Sequence, residues 1–336
     1  MIQLKSFLVF VLLILMVFSC QKEETWVGPE IPSHFPEIAQ KNMQNRKFTK
    51  EGFLLGKRLF FDPILSVDST VSCGSCHQQA GAFSHIDHDL SHGVMDRLGK
   101  RNAPAIQNLL WNNTFFWDGG VQHIDLISLA PIENDVEMDE TIQNVVLKLN
   151  RNPYYKQAFK NIYQIDEIKT MDIMAAITEF QAMLVSAKSP YDQFLKGTYS
   201  FTTAELEGKK LFEEKCITCH SGVLQSDFMF RNNGFQLDNH LDKGRYEITL
   251  NPDDEGKFKT PSLRNVAITP PYMHNGSIAT LEAVLEHYNS GIKQNPSLDP
   301  KLKNGIPLTK NEQKAIIAFL NTLTDQNFQK DSRFGF

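Results

Sequence analysis

Two five-residue motifs constrain this chain more than anything else in it: Cys73-Gly-Ser-Cys76-His77 and Cys216-Ile-Thr-Cys219-His220. Each is C-x-x-C-H, the attachment signature of c-type haem. Two thiols three positions apart reach the two vinyl groups of one porphyrin as thioethers. The adjacent histidine then meets the iron from the same short helical turn. A four-cysteine zinc site would use both pairs but needs no histidine after each. A thioredoxin-like motif explains neither the duplication nor the histidines. Paired vicinal disulfides leave the histidines equally idle. The chain is therefore expected to carry two covalently bound haem c groups.

The sequence around the motifs is also duplicated. Gly56-Lys-Arg-Leu-Phe60 precedes the first and Gly208-Lys-Lys-Leu-Phe212 the second. Pro104-Ala-Ile-Gln-Asn108 matches Pro261-Ser-Leu-Arg-Asn265 downstream, and Gly119 and Gly276 follow the two asparagines at equal spacing. Matching order and spacing argue for two copies of one haem-binding unit. Helix starts are expected at Thr49 or Glu51 and at Thr203 or Glu205. Ile173, Ala176, Ile177, Phe180 and Leu184 recur at helical spacing as an amphipathic helix, broken at Ala187-Lys-Ser-Pro190. Thr309-x-x-Glu312 reads as a capping box for a last helix with Ile316, Phe319, Leu320 and Leu323 on its apolar stripe. Sustained period-two alternation is scarce. The fold class is mainly α: two cytochrome c-like haem domains in tandem, spanning residues 37–187 and 188–336.

At 336 residues the chain has room for about two domains. With 34 basic against 39 acidic side chains and no long basic run, no nucleic-acid partner is expected. The N-terminus carries Lys5 and an apolar run from Phe7 to Phe18, too short to span a bilayer comfortably. Val17-Phe-Ser-Cys20 resembles a bacterial lipobox. Residues 1–19 are then a lipoprotein signal peptide, Cys20 a lipid anchor to a membrane, and residues 20–36 a flexible leash. The expected location is the periplasm or cell envelope.

The ordered motifs from about Pro36 to Asn289 resemble the bacterial di-haem cytochrome c peroxidase family, and within it the MauG-type branch. They include Gly56 to Asp62, Leu90-Ser-His-Gly-Val94, Arg101-Asn-Ala-Pro104, Phe116-Trp-Asp-Gly119, Val136-Glu-Met138, Thr260 to Asn265, Pro271 to Gly276 and His287-Tyr-Asn289. The resemblance implies a first haem that meets hydrogen peroxide and a second that passes electrons to it. It makes His77 and His220 proximal ligands, Glu137 the distal acid/base, and Trp117 the residue between the haems. It places Asn102, Thr269 and Pro271 around one Ca²⁺. Oxygen ligands suit that ion.

The departures from the peroxidases carry further expectations. Val94 stands where peroxidases needing reductive activation have a distal histidine, which implies an open sixth site at the first haem. His92, two residues away, is the alternative occupant, and His85 and His88 lie further back. Ile127 replaces a distal glutamine. Tyr288 stands where electron-transfer peroxidases place methionine. It shares a helical face with Leu281, Val284 and Leu285 and so points inward. Met273 and His287 are the nearby alternatives. Met/His ligation raises a haem potential; a phenolate donates charge and lowers it. The expected function is reduction of hydrogen peroxide at the first haem, with electrons relayed through the second from a small donor cytochrome or other redox protein. The alternatives are MauG-type oxidation of side chains on a partner protein, and a non-enzymatic electron carrier.

Overall fold

The computed structural model describes residues 28–43, 47–235 and 242–336. The expected signal peptide, the expected anchor at Cys20 and residues 20–27 of the expected leash lie outside them. Among the described residues the chain is mainly helical, with one antiparallel pair of two-residue strands, β1 (Phe230–Arg231) and β2 (Phe258–Lys259). Five helices set the frame: α1 (Lys50–Phe61), α2 (Thr170–Ala182), α3 (Thr203–Lys215), α4 (Leu281–Glu286) and α5 (Lys310–Asn321). No helix among the described residues is long and apolar enough to cross a membrane.

Helix α1 packs on α2 and α3 packs on α5, the same pairing in each half. The repeated glycine makes both pairings close. A Cβ on Gly56 would collide with the Ala176 carbonyl, and one on Gly208 with the Ala315 carbonyl. The repeat recurs in the backbone downstream. Asn108 and Asn265 both adopt the left-handed conformation, at φ 57° and 60°, and each opens a 3₁₀ turn. Gly119 and Gly276 are left-handed as well, at φ 73° and 67°. The two units are thus copies in chain path as well as in motif.

Local signals place most helix ends. Thr49 caps α1 by accepting the Gly52 N–H at 2.9 Å. Thr309 and Glu312 form the expected capping box on α5. For α3 the cap is Thr202, one residue before the expected start, because its side chain and that of Glu205 satisfy each other's backbone N–H.

Helix α2 differs more from expectation. Every residue from Ala176 to Ala182 is buried, including Glu179 and Gln181, so it is a central helix rather than a surface amphipathic one. It ends at Ala182, ahead of Ala187. Leu184 and Ser186 are drawn into an extended path in which Asn108 bonds the Leu184 and Ser186 carbonyls at 2.8 and 3.1 Å.

The first core gathers Phe53, Leu59, Phe60, Phe83 and Phe180; the second gathers Phe201, Phe212, Phe319 and Leu323. The chain ends do not respect the expected domain limits. Phe328 and Phe334 return to the first core, and Gln79 holds the Phe328 and Asp331 carbonyls at 3.1 and 2.8 Å. The leash expected through Pro36 is already seated before that residue. Phe35 is buried edge-on against Trp111, whose indole N–H donates to the Pro36 carbonyl at 2.8 Å. An aromatic ring with a matching aromatic slot does not stay in solvent.

One buried ion pair ties these parts together. The Arg264 guanidinium, fully buried, contacts the Asp192 carboxylate and donates to the carbonyls of Ser186 and Val223, each at 3.1 Å. Asp192 also bonds His34 at 2.8 Å, so one carboxylate links the N-terminal segment, the connector and the second unit.

Two stability predictions follow from this packing. Gly56→Val and Gly208→Val should each cost about 1–3 kcal/mol by forcing packed helices apart, read from urea unfolding. Arg264→Ala should cost about 3–5 kcal/mol, because it strands a buried carboxylate; a loss under 1 kcal/mol would contradict that account.

Candidate active site

Both Cys-x-x-Cys-His segments face one continuous cavity of about 1140 Å³. Its walls carry all four cysteines, both motif histidines, and the sequence-singled residues Asn102, Trp117, Ile127, Glu137, Thr269, Pro271, Met273 and Tyr288. A pocket for one drug-sized ligand is about 300–1,000 Å³, so the space exceeds a single such site. No disulfide joins any of these four cysteines. Burial pushes Cys73 and Cys216 up to about 12 and Cys76 up to about 11. Among the described residues no three His, Cys, Asp or Glu side chains converge on a point where a metal ion would fit. The two pairs therefore do not assemble a shared zinc site.

The histidines supply the test of fit for a haem. Nδ1 of His77 bonds the Phe83 carbonyl at 2.8 Å, and Nδ1 of His220 bonds the Gln225 carbonyl at 3.1 Å. A carbonyl can only accept, so each Nδ1 carries the proton and each Nε2 keeps its lone pair. Burial lowers both imidazole pKa values, which favours the neutral ring. A neutral imidazole oriented through its second nitrogen is what a metal-ligating histidine requires. The motifs fit two covalent haems.

Glu137 is a half-buried residue of the wall, and desolvation raises its carboxyl pKa. Ser91 Oγ offers it one long hydrogen bond, at 3.4 Å. Its position depends on the Ser91-His-Gly-Val94 segment: Val94 N–H donates to the Glu137 carbonyl at 2.8 Å, and a Cβ on Gly93 would overlap the Val136–Glu137 backbone. Val94 is buried beneath this contact, whereas His92 reaches the cavity wall. The His92 ring sits edge-on to His88 at 4.6 Å, and His88 stacks on His85 at 4.5 Å. His85 and His88 are not among the cavity-lining residues.

Trp117 lies where the two units meet. Its indole N–H donates to the Asn102 carbonyl at 2.9 Å, and its own carbonyl accepts the Lys259 N–H at 2.7 Å. Asn102 is in turn bonded through its N–H to the His274 carbonyl at 2.8 Å. Its side-chain amide donates to the carbonyls of His88 and Asp89, each at 3.1 Å. Next to it, Arg101 grips Asp242 with two bonds of 2.6 and 2.8 Å and also contacts Asp118. The seam between the copies is a polar lattice with one indole held inside it.

In the second unit, α4 ends at Glu286 and the chain makes one π turn over His287–Gly291. Tyr288 stands in that turn, one step past the α-helical frame read from the sequence, and faces the cavity. Burial raises its phenol pKa, while a hydrogen bond from Asn233 lowers it. His287 is turned away, with Nε2 against the Asn233 carbonyl at 3.1 Å. Met273 also lines the cavity.

Several site residues escaped the sequence reading. Lys259 is a half-buried amine on the cavity wall, lowered to about 8 by desolvation, with Nζ donating to the Thr114 carbonyl at 2.7 Å. Its only signal was its place two residues before the repeated Pro261 to Asn265 motif. Ser91 and Gly93 lay inside the Leu90 to Val94 motif but without a role of their own, and Asn233 carried no signal separable from a turn residue.

A family model described as di-haem cytochrome c peroxidase matches residues 50–200, and a cytochrome c model matches residues 206–324. The chain is 35% identical over 280 residues to the methylamine utilization protein MauG of Methylorubrum extorquens, covering 82% of this chain and 78% of that one. It is 34% identical over 281 residues to the cytochrome c551 peroxidase of Pseudomonas aeruginosa, covering 80% and 78% respectively. The fold superposes on a MauG-like protein associated with microbial copper homeostasis with a TM-score of 0.83 and 31% identity, over 92% of this chain and 99% of that one. The di-haem peroxidase BthA of Burkholderia thailandensis shares the fold, with a TM-score of 0.73 at 21% identity over 86% and 90% of the two chains. With two tandem cytochrome c-like units opening on one cavity, this chain belongs to the di-haem cytochrome c peroxidase family that includes MauG.

Proposed function

We propose that the protein is a haem peroxidase that reduces hydrogen peroxide at the haem of Cys73, Cys76 and His77. Electrons come from a small cytochrome or other redox protein, through the haem of Cys216, Cys219, His220 and Tyr288. The observation that carries this reading is a half-buried carboxyl of raised pKa, Glu137, in the wall of a cavity shared by both motifs. When bound, the haems supply the electron storage and the peroxide-binding metal.

The protein's own residues supply the proton path. Peroxide cleavage needs one proton moved from the near oxygen to the departing one, and two electrons with two protons complete two waters. Glu137 takes the first proton as carboxylate and returns it as carboxylic acid. Its surroundings suit the role. Burial lifts its pKa above the ordinary carboxyl range, and Ile127, on the same cavity wall, carries no donor to compete with it. Water, not a second polar side chain, is then its partner. Gly93 permits the close backbone contact that aims it.

Trp117 is the relay between the copies: its indole N–H bonds Asn102 of the first unit, and its backbone carbonyl accepts from the Lys259 N–H of the second. Asn102 through Oδ1, with the backbone carbonyls of Thr269 and Pro271, forms the calcium site; its amide nitrogen is already committed to two carbonyls. The segment ending at Cys20 exports the enzyme and anchors it by lipid in the periplasm or cell envelope. The connector after residue 187 separates the peroxidatic unit from the electron-transfer unit. Oxidation of a partner protein's side chains is a second reading. It draws on Tyr288 facing the cavity opposite the usual methionine choice, and on similarity to MauG-like proteins.

An electron-carrying cytochrome would have both irons capped. The ferric protein should instead give one high-spin electron paramagnetic resonance signal; two low-spin signals would remove the peroxidase reading. Glu137→Gln should lower kcat/KM for peroxide by about 10²–10⁴-fold. Glu137 must be deprotonated to accept the first proton, so wild-type activity should rise with pH through a pKa above the ordinary glutamate range. The same limb should be missing in the variant. Tyr288→Met should raise the second haem's reduction potential and speed turnover with reduced cytochrome c. An unchanged second-haem spectrum in that variant would retire Tyr288 as a ligand.

A further inference from the structure

Tyr288 does not stand alone in the cavity wall. Asn233, in the loop after β1, aims its side-chain nitrogen at the Tyr288 oxygen from 3.2 Å. The direction of that carboxamide is fixed by its neighbours. Its Oδ1 accepts the Phe235 N–H at 3.1 Å, which leaves the nitrogen facing the tyrosine. Its backbone carbonyl is held by His287 Nε2 at 3.1 Å. The residue is therefore clamped both in its main chain and in its side chain, by the turn it begins and by the neighbour of the tyrosine it touches. The same nitrogen lies 3.6 Å from Met273 Sδ, a weaker acceptor than a phenol oxygen.

We propose that Asn233 is a positioning residue for the second haem, donating a hydrogen bond to the Tyr288 oxygen that aims it and tempers its charge donation to iron. The inference rests on Tyr288 being the axial ligand. A carboxamide nitrogen can donate but not accept, so it favours an oxygen carrying negative charge, and hydrogen bonds to charged groups are the strong ones. Each increment of charge drawn toward Asn233 is charge not given to the metal. The second iron is then easier to reduce than an unassisted phenolate would leave it. The π turn over His287–Gly291 contributes by bringing His287 and Tyr288 together onto the Asn233 loop. Single π turns inside helices are frequent at functional sites.

The test uses the full haem-loaded protein and reads potential and spectrum. Asn233→Ser keeps a hydroxyl able to cap the Phe235 N–H as the asparagine does, but is too short to reach Tyr288. Asn233→Leu removes the donor and keeps the volume. Both should shift the second haem's reduction equilibrium about tenfold toward the ferric form and displace its phenolate-to-iron absorption band. The first haem's potential should stay where it is. Tyr288→Phe, run alongside, should abolish the band. Wild-type potential and band in both Asn233 variants, with the band lost in Tyr288→Phe, would overturn the role of Asn233 and leave the tyrosine ligand standing. An unchanged spectrum in Tyr288→Phe would remove the ligand and this inference with it. Equal shifts at both haems would reduce Asn233 to a general packing role and also overturn the inference.

Discussion

The rest of the site depends on one hydrogen bond made twice, from the Nδ1 of a motif histidine to a carbonyl five or six residues ahead. Each bond fixes the imidazole tautomer and its plane, and so decides where the other nitrogen points. The cysteines lie in the same short turn, so once the histidine is fixed the thiols are fixed as well. The helix carrying the repeated Gly-Lys-x-Leu-Phe approaches closely because glycine lets a partner carbonyl sit against it. Its aromatic edge then reaches the motif: the Phe60 and His77 ring centres are 6.4 Å apart, and those of Phe212 and His220 are 6.5 Å apart. Two nearly identical cradles result from two stretches of similar sequence.

Identical cradles would make a symmetric carrier. The asymmetry comes from what each copy contributes to the shared cavity besides its histidine. The first copy sends Glu137 into the wall, steadied by the Gly93 contact and kept from full solvation by burial. The second sends Tyr288, with Asn233 as its donor. A carboxyl of raised pKa suits proton transfer, and a phenol oxygen suits anchoring a metal. The polar seam of Arg101, Asn102, Asp118, Asp242 and His274 holds Trp117 between them. Arg264 and Asp192 lock the connector behind it. These groups satisfy one another across the seam, and both units line one cavity.

Much of this was legible in the amino-acid order. The haem motifs are local: their chemistry is completed within five residues, so spacing alone reveals it. The capping box at Thr309 is local for the same reason. The α2 helix was legible as a helix but not as a central one. Burial on all sides is set by what packs around it, and Glu179 and Gln181 look like surface residues until that packing exists. The C-terminal Phe328 and Phe334 lay in a tail that sequence assigned to the second unit. Only the folded chain shows them in the first core.

By itself the sequence determined the number of haem sites, the tandem repeat, the mainly helical class and the family. Each of these is carried by contacts between residues close in the chain or by motif order. Tertiary structure decided the rest. It aimed Glu137 through Gly93, pinned Trp117 through Asn102, held His287 against the Asn233 carbonyl, and brought Asn233 to the phenol oxygen from 55 residues upstream. These pairings join segments far apart in the chain, and no local pattern encodes which distant backbone will supply a partner. The physical reason is that a hydrogen bond specifies geometry only after both of its ends have been placed.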